Sequence, residues 1–410
     1  MKKLHCLSNG IRLAYEYVSY SKSVSVGVWV RAGSMYEKDN ESGISHFTEH
    51  MLFKGTHNRT AAKIAQETDC MGGHINAYTE RDHTCYYTRT PAQYIGRALD
   101  ILSDMYFNSL FSEDDIATER SVIEEEINMY EDSPEDAALE GLLANVWRES
   151  PLGRDIAGSI QSVRAIKRGD MLSYMKRRYT PENTVLSVAG FFDEDMLLKL
   201  CEKYFCRGEN SSLQNVCAPQ FFGGEYRRKK DTEQAHISIG FEAFSLFDKR
   251  IYALSLLNTI LGGSTSGRLF QSLREKSGLC YSIYSYTSLF TSTGIMGIYA
   301  GLSPKNICAA RKKIEDEIEK VCTHGVFMHE LIRARSILKC GIIMDSESIE
   351  SKMSSNGKNI LFLGRFRGDE EILNEFSAVT RNDIKQIANE VFKNGKKAVF
   401  ILGGGVENGK

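Results

Sequence analysis

The chain has 410 residues, 42% of them hydrophobic and 25% charged, with 51 basic against 53 acidic side chains and a net charge of −2. That length suggests two or three domains with real cores, and the charge balance gives no reason to expect a nucleic-acid partner. No apolar run approaches a membrane span, no signal-peptide pattern follows the two N-terminal lysines, and the ten cysteines are scattered without a Cys-x-x-Cys pair, so the expected setting is cytoplasmic with reduced thiols.

In chain order, residues 7–10 read as a turn and 11–17 as an alternating strand. Val24, Val26, Val28 and Val30 alternate again and predict a second strand. Then comes Gly43-Ile44-Ser45-His46-Phe47-Thr48-Glu49-His50-Met51-Leu52-Phe53-Lys54-Gly55-Thr56. As a helix, this stretch stacks His46 and His50 on one face, four residues apart, with Glu49 beside that face. Ile44, Phe47, Met51, Leu52 and Phe53 make the rest apolar almost all round, so the helix should be buried. Buried polar side chains need partners. Two neutral imidazoles at this spacing can hold one divalent metal, and a neighbouring carboxylate can act on a water there. His-x-x-Glu-His is the inverted form of the His-Glu-x-x-His zinc motif. The plainer alternative, two satisfied core histidines near a chance glutamate, fits the spacing less well.

A short helix at 61–69 leads to Gly72-Gly73 and a strand at 74–80. A strand at 86–90 and a helix at 91–107 follow. Ser112 and Asp115 look like an N-cap pair, and Ile116, Ile123, Ile127 and Tyr130 recur on one face of the next helix. At about 3.6 residues per turn, Glu119 and Glu126 share a column along one edge of that stripe. Glu125 points to water and Glu124 lies on the other edge. A buried ligand could come from that column, or the helix could simply be solvated. Residues 183–189 form a strand and 195–204 a helix. The polar stretch 207–219 has no period and reads as a linker.

The second half repeats the first at an offset of 213 residues: Val26-Gly27 matches Ile239-Gly240, Asp170 and Tyr179 match Asp383 and Phe392, and 185–190 matches 398–403. A period this long means two copies of one domain, 1–210 and 220–410, rather than a solenoid. At that offset His46, Glu49 and His50 fall on Thr259, Gly262 and Gly263. Arg120–Ile123 is matched two residues off register by Arg335–Leu338, which puts Glu119 and Glu126 on Ala334 and Gly341. Only the first copy has a metal site. Gly262–Gly267 lacks the Gly-Lys-Ser/Thr ending of a phosphate loop and reads as a helix cap or tight turn. Arg227–Lys230 reads as a solvated strand end, and Gly403–Gly405 as the end of the last strand.

Four blocks carry a family resemblance: Gly43…His46-x-x-Glu49-His50-x-x-Phe53-x-Gly55-Thr56; Gly73-x-x-Asn76-Ala77-Tyr78-Thr79; Glu119-Arg120-x-Val122-Ile123-x-x-Glu126; and Gly267-Arg268-Leu269-Phe270…Leu273-Arg274-Glu275…Tyr281. Together they resemble the pitrilysin and insulin-degrading metallopeptidases, closest to the branch of the mitochondrial processing peptidases and their bacterial relatives. The resemblance implies an α+β fold, each half a mostly antiparallel sheet with helices packed on it. It implies one Zn²⁺ per chain on His46, His50 and Glu126, with Glu119 orienting the ligands and Glu49 as general base. It implies a zinc endopeptidase for unfolded peptides or presequences, bound as an added strand along 74–80 with backbone contacts at Asn76 and Ala77. Arg274 and Tyr281 would touch substrate carbonyls from the second copy, in a homodimer with composite active sites. The rival from another class is a non-catalytic scaffold or assembly subunit. Such relatives have lost the motif, which is complete here. Zinc content and peptide cleavage separate the two, and also separate both from a metal-binding protein without activity.

Overall fold

A strand that the sequence reading did not single out, β1 (Lys2–Cys6), opens the chain. β2 (Arg12–Tyr17), β3 (Ser23–Val30), β4 (His74–Thr79), β5 (Thr84–Pro91) and β6 (Thr184–Gly190) join it in the order β1-β2-β6-β3-β5-β4. Only β2 with β6 is parallel. β7 (Gly224–Arg228), β8 (Ala235–Ala243), β9 (Cys280–Leu289), β10 (Gly294–Leu302) and β11 (Lys397–Leu402) build a second sheet, β7-β11-β8-β10-β9, again with one parallel pair, β7 with β11. The helices of the first half are α1 (Ile44–Leu52), α2 (Ala61–Cys70), α3 (Ile95–Asn108), α4 (Glu113–Asp132), α5 (Pro134–Val146), α6 (Ile160–Ala165), α7 (Arg168–Arg178) and α8 (Glu194–Phe205). Those of the second are α9 (Ile251–Leu261), α10 (Ile307–His324), α11 (Met328–Glu347), α12 (Ile349–Lys358), α13 (Asp369–Ala378) and α14 (Arg381–Asn389). The fold is α+β, with two mostly antiparallel sheets and helices packed on them. This computed structural model describes residues 2–208 and 218–403, so most of the expected linker, and Gly404 and Gly405, lie outside the described residues. Among the described residues no helix is long and apolar enough to cross a membrane.

The chain divides into two units, and each takes a segment from the other half of the sequence. The first unit comprises Met1–Ile127, Arg154–Val216 and Ile343–Arg367; the second comprises Asn128–Gly153, Cys217–Ile342 and Gly368–Lys410. A division at the linker therefore separates the two sheets but not two helices: α12 packs on β6, β3 and β2, and α5 on β11 and β8.

Strand periodicity explains how this works. Val24, Val26, Val28 and Val30 enter the core of the first unit. The alternate residues of β3 face α12: a Cβ on Gly27 would lie 2.3 Å from Met353 Sδ, and Trp29 Nε1 donates to the same sulfur at 3.4 Å. β8 repeats the arrangement. Ile237, Ile239 and Phe241 enter the second core, while a Cβ on Gly240 would lie 3.0 Å from Leu142 Cδ2 of α5. The matched glycines, Gly27 and Gly240, are the notches into which the exchanged helices fit.

Other matched residues have equally plain roles. Asp170 Oδ2 accepts the Lys167 N–H at 2.9 Å and Asp383 Oδ2 accepts the Thr380 N–H at 2.7 Å, so each caps the start of its helix, α7 or α14. Arg120 on α4 donates to the Ile166 carbonyl at 2.9 Å, and Arg335 on α11 donates to that of Val379, the residue 213 positions after Ile166. The basic run at 227–230 sits on β7 and just beyond it, where Arg227 pairs with Glu225 at 2.7 Å and Arg228 pairs with Glu131 at 2.5 Å. Gly262 closes α9, and the Gly267 N–H donates to the Ser264 carbonyl at 2.9 Å, as the cap-and-turn reading expects.

Candidate metal centre

α1 is buried as its sequence requires, with Ile44, Phe47, Met51 and Leu52 in the core of the first unit. It starts at Gly43, whose φ of 90° suits only glycine, and that residue offers no side-chain cap. Glu37 supplies the cap from outside the helix, accepting the N–H groups of Gly43 and Ser45 at 2.9 Å each. Its carboxyl is buried, and burial pushes its pKa up to about 7, against the pull of those hydrogen bonds and of Arg154. The Ser45 hydroxyl is fixed in turn, 2.7 Å from Tyr174 Oη on α7.

α4 starts where the sequence places its cap: the Asp115 N–H donates to Ser112 Oγ at 3.2 Å. Arg120 ties one side of it to the loop before α7. Its glutamates divide as the helical period requires. Glu119 is buried, Glu126 is half-buried and Glu125 is exposed. Glu124 forms a bidentate pair with Arg164 at 2.9 and 2.6 Å.

His46, His50 and Glu126 converge. His46 Nε2 and His50 Nε2 are 3.2 Å apart, and Glu126 Oε2 lies 3.6 and 3.5 Å from them. A tetrahedral ion with bonds of about 2.0–2.1 Å separates its ligands by roughly 3.3–3.4 Å, so this triangle has the size that such an ion requires. It is the one such cluster among the described residues. The donor set also suits zinc. Without a cation, one histidine must keep a proton between the two facing nitrogens; a divalent ion takes that proton's place.

The surrounding groups set the protonation states. His50 Nδ1 is 2.8 Å from Glu119 Oε1, and Lys54 Nζ contacts Glu119 Oε2. Burial opposes the charge on Glu119, but the hydrogen bonds from His50 and Lys54 outweigh it and hold its pKa below the usual carboxylate range. Burial also opposes charge on His50. Its hydrogen bond to Glu119, with the nearby Glu49 and Glu126 carboxylates, nevertheless raises its pKa. Burial, helped by the adjacent His50, drives His46 down to about 3. Glu49 is buried, and that burial raises its pKa despite a 2.5 Å hydrogen bond from Thr79.

The other candidates lie elsewhere. Asn76 and Ala77 are on β4, an edge strand of the first sheet, which among the described residues pairs only with β5. Asn76 Oδ1 accepts the Ala77 N–H at 2.9 Å. Arg274 and Tyr281 belong to the second unit, where the Arg274 guanidinium sits 5.7 Å from the centre of the Tyr281 ring, and that ring is 73% exposed. Three residues that support α1 and the metal site, Lys54, Thr79 and Glu37, are given no role by the sequence alone. Lys54 had a signal, being four residues after His50. Thr79 had one too: it is two residues after Ala77 and so on the same face of the strand. Glu37 had none, because a loop brings it to the helix.

Comparison with known proteins agrees with this architecture. A family model described as Insulinase (Peptidase family M16) matches residues 12–159, and one described as Peptidase M16 inactive domain matches residues 165–338. The chain is 38% identical to an uncharacterized zinc protease of Bacillus subtilis, over 96% of both chains. It is 36% identical to another of Mycobacterium leprae, over 97% of this chain and 90% of that one. In fold it matches the crystal structure of a protease from Helicobacter pylori with a TM-score of 0.92 at 22% identity, covering 98% of this chain and 99% of that one. The label of the second family model suits a copy whose ligand positions hold Thr259, Gly262 and Gly263. The chain belongs to the insulinase-type peptidases, family M16.

Proposed function

We propose that this chain is a zinc-dependent endopeptidase acting on unfolded peptide segments. The observation that carries this reading is the triangle of His46, His50 and Glu126, with the buried Glu49 one residue from His50 on the same short helix. Those three residues would hold one zinc ion per chain. When bound there, zinc supplies a Lewis acid that polarises a carbonyl and eases loss of a proton from water.

The rest is the work of the chain itself. Glu49 takes the proton of the attacking water and delivers it to the leaving amine, a task suited to a carboxylate whose pKa is raised by burial. Glu119 holds His50 through Nδ1 and so presents Nε2 to the ion. The free edge of β4 takes the substrate as an added strand, which selects extended segments over folded ones. Asn76 and Ala77 supply backbone contacts on that edge. Arg274 and Tyr281, a cation and a hydroxyl, suit substrate carbonyl oxygens. In the homodimer implied by the family resemblance, they would serve the partner's site.

The test pairs zinc analysis of the purified chain with cleavage profiling on an unfolded-peptide library. Stoichiometric zinc with zinc-dependent cleavage is the expected result. Bound zinc without cleavage, or no zinc, overturns the reading.

A further inference from the structure

β4 carries a side chain that hydrogen-bonds to α1. Ile75 and Ala77 pack against the core of the first unit, and the strand period places Thr79 on that same face. Tyr78 turns to the opposite face, edge-on to Trp29 at 6.1 Å. At the end of the strand Thr79 Oγ1 lies 2.5 Å from Glu49 Oε2. The neighbours settle which way this hydrogen bond runs. Thr79 pairs across the ladder with Thr84, whose hydroxyl is 3.3 Å away. Thr84 gives its own proton to the Ala32 carbonyl at 2.9 Å. Thr79 thus has a single proton to donate and a carboxylate oxygen within reach to receive it. This is the only hydrogen bond to the Glu49 carboxylate among the described residues.

We propose that Thr79 is a positioning residue for Glu49. Its hydroxyl tethers Oε2, fixes the carboxylate in one orientation and leaves Oε1 as the oxygen that accepts a proton. A glutamate side chain has three torsions to fix, and the tether removes that entropy loss from the reaction itself. Because Thr79 is two residues from Ala77 on the edge strand, the substrate edge and the base are held in register as one rigid piece. The inference rests on the reading of Glu49 as general base.

Thr79→Val keeps the branched shape and removes the proton; Thr79→Ser keeps the proton and removes the methyl. With a quenched peptide chosen from library profiling, Thr79→Val should lower kcat about tenfold or more with KM within about twofold, since a hydrogen bond to a charged group is lost. Thr79→Ser should recover most of that loss, and zinc content should be the same in all three proteins. Crystal structures of the metal-free parent and both variants should show the Glu49 carboxylate displaced only in Thr79→Val. An undiminished kcat in Thr79→Val, or an equal loss in Thr79→Ser, overturns the inference. If the parent cleaves no peptide, the functional reading fails separately. The crystal comparison then still decides whether Thr79 positions Glu49, and an unmoved carboxylate in Thr79→Val overturns that.

Discussion

His50 Nδ1 stands 2.8 Å from Glu119 Oε1, and this one contact decides which nitrogen of His50 is left to bind a metal. An N–H donated to Glu119 leaves the lone pair on Nε2, the atom that faces His46 and Glu126. Replacing Glu119 by Gln keeps an acceptor but removes the charge and the Lys54 pairing. Zinc affinity should fall about 10- to 100-fold, as for other partners of metal-bound histidines. Chelator competition measures it, and an affinity within twofold of the parent would mean that Glu119 does not orient the ligand.

Glu49 is adjacent to His50 in the chain but lies outside the group of three side chains that could hold a metal ion. Glu49→Gln should keep its zinc and lose cleavage by about two to four orders of magnitude, the usual worth of a positioned general base. Cleavage close to the parent rate would show that another group takes the proton.

Only one of three consecutive glutamates joins the two histidines. Glu126→Gln should lower zinc occupancy after dialysis far more than Glu125→Gln, which alters an exposed side chain, or Glu124→Gln, which alters a pair with Arg164. Equal zinc in the three variants would remove Glu126 from the ligand set.

Glu37 makes stability depend on pH in a direction unusual for a carboxylate. Its pKa is about 7 in the folded chain, against 4.5 when exposed, so the fold prefers its neutral form. Below 4.5 both states are protonated and no penalty arises. Between 4.5 and 7 the unfolded chain releases the proton first, and stability falls as pH rises, by up to about 3 kcal/mol. Above 7 the penalty is constant. Melting curves from pH 4 to 8 should therefore decline more steeply for the parent than for Glu37→Gln. Parallel curves would refute the assignment.

Sharing of sites between subunits can be read by complementation. Glu49→Gln and Arg274→Ala should each be nearly inactive. Random co-assembly makes about half the dimers mixed, and with sharing one site in each mixed dimer is intact, so roughly a quarter of parental activity should return. No recovery, with mixed dimers shown to form, would place Arg274 in its own chain's site.

The two halves of the triangle were legible because their spacing is local: the helical period alone sets His46 beside His50 on α1 and Glu126 in line with Glu119 on α4, while the joining of the two came from the family resemblance. The repeat was legible for a similar reason, since Gly27, Asp170 and Arg120 each have a counterpart with the same backbone role. Glu37 acts across a loop, where no period reaches, and the strand period gives the face of Thr79 but not its meeting with Glu49 on α1. α12 was beyond sequence reasoning. Its sequence, IESKMSSNGK, has no apolar stripe, and it buries Ile349, Met353, Asn356 and Gly357 where it packs on β6, β3 and β2, with Met353 meeting Trp29 more than three hundred positions earlier. A notch in the sheet, rather than hydrophobicity, receives it.

That exchange bears on how the protein is made. On the ribosome, the half with His46, His50 and Glu126 emerges first, yet β3 has no cover for Gly27 and Trp29 until Ile349–Lys358 has been synthesised. Until then that face of the first sheet lacks its helix, and α5 lacks the last of its own strands, β11, until Lys397–Leu402 has been made. Translation stopped between the two halves yields an open sheet with an orphaned helix. The second copy therefore supplies the first sheet with α12, a role apart from any contact with substrate.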